Sequence, residues 1–115
     1  MIKVAICKSM KDDTINDEMA VALVKDLLNK AYPEEEINFI FPKKIEEGEN
    51  IGAHVQEHVL NLITSDFVAF ISKTDGSLGS HTINEMNMIN FLKKNFIWIG
   101  KKNDMVYLFK KEVTE

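Results

Sequence analysis

Apolar residues recur along this chain in two ways, as short unbroken runs and as helically spaced stripes. The run Ile2-Lys3-Val4-Ala5-Ile6-Cys7 predicts a strand covered on both faces. After a polar stretch over residues 8–13, Ile15, Met19, Leu23, Leu27 and Leu28 keep helical spacing. They predict a helix over residues 14–31 with that stripe inward. Tyr32-Pro33 ends it, because a residue before proline avoids helical backbone. Ile37-Asn38-Phe39-Ile40-Phe41 reads as a second strand, closed by Pro42. Residues 43–52, with Glu46, Glu47 and Glu49, read as a solvated loop. A helix is predicted over 53–64, facing inward with Val55, Val59, Leu62 and Ile63. Phe67-Val68-Ala69-Phe70-Ile71 is the clearest buried strand. A loop over 72–81 leads to a helix over 82–94, inward through Ile83, Met86, Ile89 and Leu92. A fourth strand covers 96–99, and a short last one covers 105–109.

Strands alternating with helices imply a mainly parallel sheet with right-handed crossovers. The expected fold is one three-layer, flavodoxin-like α/β domain over residues 1–115, with four to five strands. Ligands of such sheets bind beyond the carboxyl ends of the strands. That rule selects Cys7-Lys8-Ser9, residues 41–44, residues 72–80 and residues 100–102.

The length of 115 residues suits one core, and 45% hydrophobic with 28% charged residues excludes a disordered chain. The formal charge is −4, and no Lys/Arg cluster exceeds a pair, so no nucleic-acid partner is expected. Cys7 is the single cysteine and permits no internal disulfide. The first apolar run is too short for a signal peptide, and no window approaches a membrane span. The expectation is a cytoplasmic protein without a membrane partner.

The segment richest in chemistry is Ser72-Lys73-Thr74-Asp75-Gly76-Ser77-Leu78-Gly79-Ser80-His81-Thr82, followed by Ile83-Asn84-Glu85. Glycines and hydroxyls before a helix start offer free amides to a phosphate or carboxylate. The Gly-Lys-Ser/Thr ending of a Walker loop is missing, and an ordinary crossover connector explains the same composition. Glu85 has two readings. With Thr82 it fits a capping box, and beside an anion-binding loop it is placed to attack a bound sugar. His54-Val55-Gln56-Glu57-His58 matches a zinc-protease spacing, but no third ligand is singled out, so no metal and no cofactor are expected. Cys7, in a buried strand with no base near it in sequence, reads as core, as does Trp98.

Ser65-Asp66 with its apolar run, Ser77-Leu78-Gly79, Glu85 and Lys93-Lys94 before Phe96 resemble the nucleoside 2-deoxyribosyltransferases and the related 2'-deoxynucleoside 5'-phosphate N-hydrolases. TIR-like domains share the layout. The resemblance spans roughly residues 2–100. It implies Glu85 as the nucleophile at the anomeric carbon and Asp75 as a residue orienting base or nucleophile. It implies Ser9, Gly76, Ser77, Gly79 and Ser80 as binding residues, and a homodimer. The chain departs from the pattern at Ala5, at Lys8, and at His58, where the family usually has Asp. The expected function is handling of a small-molecule nucleoside or nucleotide by cleavage or transfer at its N-glycosidic bond. The alternatives are a non-catalytic nucleotide-binding or TIR-like signalling module and, more weakly, a metal-dependent hydrolase built on His54 and His58.

Overall fold

A computed structural model of the protein describes residues 1–9, 13–42, 51–103 and 105–112, residue 51 by its backbone alone. The elements run β1 (Ile2–Cys7), α1 (Asp17–Ala31), β2 (Ile37–Ile40), α2 (Ile51–Thr64), β3 (Phe67–Ile71), α3 (Ser80–Phe91), β4 (Phe96–Lys102) and β5 (Met105–Lys111). The acidic loop residues Glu46, Glu47 and Glu49 lie outside the described residues. Among the described residues, no helix is long and apolar enough to cross a membrane.

The strand order is β2-β1-β3-β4-β5. β1 pairs in parallel with both β2 and β3, and β3 with β4, while β5 runs antiparallel to β4. Asn103, with φ 52°, makes the tight reversal, where left-handed backbone is needed. The expected three-layer α/β architecture is therefore present. The chain steps outward from β1 to β2, then returns to the other side of β1 as β3. That reversal is the topological switch point, where such folds open a crevice.

Each sheet face has its own core. Ile2, Val4 and Ile6 of β1, Phe67, Ala69 and Ile71 of β3, and Ile97 and Ile99 of β4 pack with α1. Ala20, Val24 and Leu28 form the buried stripe of α1, so the helix settles with small residues against the sheet, and the expected Met19 is exposed. The α1 start also differs. Asn16 accepts the Met19 amide as the cap, because Thr14 is drawn into a bridge with Lys73.

The opposite face carries Ala5, Cys7, Val68, Phe70 and Phe96, packed against Leu62 of α2 and Ile89 of α3. Val55, Ile63, Ile83 and Leu92, expected inward, are exposed. The buried side of α3 is marked by Thr82 and Ile89, with Glu85 and Met86 half-buried between them. Met86 and Ile89 face the core as expected, while Thr82 and Glu85, polar residues that a hydrophobic pattern discounts, take the inward places expected of Ile83 and Leu92.

Candidate functional site

Cys7 is the last residue of β1 and points into the α2/α3 layer, where it is 1% exposed. One residue from each helix meets it. Cys7 Sγ donates to Glu85 Oε2 at 2.9 Å. His58 Nε2 lies 2.8 Å from the same oxygen and donates to it, and it stands 4.0 Å from the sulfur. The two lone pairs of Oε2 suffice for both donors. The cluster sits at the carboxyl edge of β1, beside the switch point.

Burial pushes the Glu85 carboxyl up, but the bonds from His58 and Cys7 and the charges of His58 and His81 outweigh it, leaving the group below its ordinary value. It is an ionised carboxylate at neutral pH. The Cys7 thiol moves the other way: burial first, then the negative charge of Glu85 and the bond to it, push it well above its ordinary value. A thiol held protonated is a poor nucleophile. The expectation of a strand cysteine with no base nearby is corrected, because the fold brings both His58 and Glu85 to it.

The capping-box reading of Glu85 is also corrected. α3 begins at Ser80 with Gly79 as its cap residue, and Thr82 is already buried inside the helix. Glu85 therefore lies well beyond the first turn and bonds to other elements. Gly79 offers no side-chain cap to the first turn. A Cβ at Gly79 would stand 3.7 Å from Ser9 Oγ and 3.8 Å from Lys73 Cε. Ser9 and Lys73 thus both adjoin the glycine-capped start of α3, where a helix amino terminus favours negative charge. Ser80 opens the helix and is exposed.

The loop that precedes α3 is held by bonds of its own. Asp75 Oδ1 accepts from the Ser77 amide at 2.9 Å and the Ser77 hydroxyl at 2.6 Å, which together hold its carboxyl below the ordinary value. The pair closes an exposed turn, so the groups that orient Glu85 are His58 and Cys7. Gly76 has φ +88°, and a Cβ there would strike the Lys101 carbonyl oxygen. Only glycine fits that turn. Ser72 is buried, its amide donating to Ile99 O at 2.9 Å.

Sequence reasoning singled out Glu85 and His58 separately but not their meeting with Cys7. The available signal was that Cys7 ends a strand at the edge where ligands bind. Comparisons with protein-family models, with curated proteins and with solved structures gave no match.

Proposed function

We propose that the protein cleaves or transfers at the N-glycosidic bond of a nucleoside or nucleotide, with Glu85 as nucleophile. The observation that supports this reading is the placement of one ionised carboxylate at the switch point, along the helix whose glycine-capped start adjoins Ser9 and Lys73. Glu85 lies five helical steps beyond Ser80, a rise of about 7.5 Å. That spacing leaves room for a pentose between a phosphate at the helix start and the carboxylate. One Glu85 oxygen is held by His58 and Cys7, which fixes the group and leaves attack to the other. The carboxylate adds to the anomeric carbon, and the base departs with the bonding pair. Water or a second base then opens the glycosyl ester.

The partner in this reading is a small-molecule nucleoside or nucleotide, and the single cysteine agrees with a reducing, cytoplasmic setting. Exposed apolar side chains on α2 and α3, Val55, Leu60, Ile63 and Phe91 among them, support a homodimer.

The test is chromatographic. Purified protein should release free base from deoxynucleosides or their 5'-phosphates, and Glu85→Gln should reduce that release by at least about a thousandfold while the fold and nucleotide binding remain. Undiminished release by Glu85→Gln would end the proposal. Nucleotide binding without any release by the wild type would establish the binding-module reading in its place.

A further inference from the structure

We propose that Cys7, His58 and Glu85 together form a binding site for one zinc-class divalent cation, independently of any nucleotide chemistry. Cys7 Sγ, His58 Nε2 and a Glu85 oxygen come from β1, α2 and α3, and all lie within 4.8 Å of one another. Their separations are 2.9 Å for sulfur to oxygen, 2.8 Å for nitrogen to oxygen and 4.0 Å for sulfur to nitrogen. Tetrahedral zinc, with its sulfur about 2.3 Å away and its nitrogen and oxygen about 2.0 Å, needs corresponding edges of about 3.5, 3.3 and 3.6 Å. Each separation is thus within roughly 0.6 Å of its required edge.

The donor set selects the ion. One thiolate, one imidazole and one carboxylate suit zinc and its neighbours, whereas magnesium and calcium take oxygen alone. Cys7 forms the floor of the site. The His58 and Glu85 side chains keep 26% and 25% exposure, so the ion enters past them and its fourth position faces solvent. On binding, the Cys7 S–H proton passes to water and the sulfur coordinates as thiolate. A neutral His58 moves its proton from Nε2 to Nδ1, and a charged one releases it. One proton therefore leaves with a neutral His58, and two leave with a charged one.

The His54–His58 pair that the sequence suggests is a different site. In the folded chain His58 turns to Cys7 and Glu85, so the third ligand comes from across the switch point.

Cobalt is the probe, because a thiolate bound to it gives a near-ultraviolet charge-transfer band and Cys7 is the only thiol in the chain. Titrating the whole metal-free protein with Co²⁺ should give that band at one ion per chain, with proton release, and Zn²⁺ should displace it. Cys7→Ser should abolish the band. Glu85→Gln and His58→Gln should each weaken Co²⁺ binding by at least about tenfold, since even residues that only support a ligand have effects of that order. His54→Ala should leave binding unchanged. Should Cys7→Ser not fold, Glu85→Gln and His58→Gln decide the matter through loss of the wild-type band. No band in the wild type would overturn the proposal. So would binding that His54→Ala weakens as much as His58→Gln while Cys7→Ser and Glu85→Gln leave it intact, because the ion would then sit on the surface of α2.

Discussion

At the amino-terminal edge of the sheet, Asp66, Ser65 and Lys94 end on backbone. Asp66 Oδ2 accepts the Lys3 amide at 2.8 Å, and the Asp66 amide donates to Lys3 O at 2.8 Å. Ser65 Oγ donates to Leu62 O, and Lys94 Nζ donates to Ile63 O at 2.7 Å and Ser65 O at 2.9 Å. Lys94 thereby satisfies carbonyls at the end of α2, where a cation also suits the helix dipole. At the carboxyl edge, by contrast, Cys7, His58 and Glu85 end on one another. A side chain that closes a backbone bond is part of the scaffold, and removing it leaves a backbone group unpaired. Side chains that satisfy only each other can exchange partners for a ligand at little cost to the fold. The amino-terminal edge also has a hollow of about 320 Å³, lined in part by Tyr32, Glu35, Asp66 and Asn95. Its size alone would attract attention, but the chemistry of exchangeable groups is at the other edge.

Both edges hang from β3, so the largest effect should come from its centre. Phe70 is fully buried and packs edge-on against Phe96 at 5.8 Å. Phe70→Ala should cost about 3–5 kcal/mol through the cavity it leaves, read as a lower urea midpoint at unchanged slope. A loss below about 1 kcal/mol would show that β3 does not couple the two edges.

Removing the carboxylate at each edge in turn separates scaffold from site. Asp66→Ala should cost about 1–2 kcal/mol, an exposed charged hydrogen bond to backbone, while base release per folded molecule stays unchanged. Glu85→Gln should remain within about 1 kcal/mol of wild type, because an amide oxygen still accepts from His58 and Cys7. The contrast breaks if Asp66→Ala abolishes base release with the fold intact, or if Glu85→Gln is the more destabilising change.

The pH dependence of stability should carry the signature of the carboxyl-edge cluster. Glu85 titrates below its ordinary value when folded, so its contribution is present above the unfolded value and is lost as pH falls through the folded one. Cys7 titrates above its ordinary value, so its contribution is present below the unfolded thiol value and is lost as pH rises through the folded one. Urea unfolding across pH should show both limbs. Glu85→Gln should flatten the acid limb and shrink the alkaline one, since the charge that disfavours the thiolate is gone. An acid limb identical to wild type would detach Glu85 from the cluster.

How much of this was legible in the sequence follows from the kind of interaction that decides each feature. β1 and β3 are bounded to the residue because short, densely apolar runs, with Lys3 the one polar residue among them, leave little choice of face. α2 carries apolar residues around most of its circumference, so the pattern could not say that Leu62 faces the sheet while Val55 and Ile63 face away. In α3 the pattern finds Met86 and Ile89 but not Thr82 and Glu85, which turn inward where hydropathy expects apolar groups. Glu85 was legible through its loop and the family resemblance. Its meeting with Cys7, 78 residues away, and His58, 27 residues away, depends on which side of β1 the chain returns to, and that is a property of sheet topology.

The smallest expected effect lies at the scaffold edge and requires no loss of function. Lys93 follows α3 with φ 56°, its amide donating to Asn90 O at 3.1 Å while the Lys94 amide reaches Ile89 O at 3.1 Å. This left-handed close to the helix is usually made by glycine. A Cβ in that conformation costs roughly 1–2 kcal/mol, whereas glycine adds roughly 0.5–1 kcal/mol of unfolded-state entropy. Lys93→Gly should therefore stabilise the protein by about 0.5 kcal/mol, a rise in melting temperature of roughly 2–4 °C. Lys94 should keep its bonds to the end of α2, and base release should be unchanged, because the bonds of this corner end on backbone far from Glu85. A destabilised Lys93→Gly would show that the side chain of Lys93 contributes more to holding this corner than its backbone strain removes. A change in base release at constant stability would break the comparison, by showing that the amino-terminal edge communicates with the cluster at the other end of the sheet.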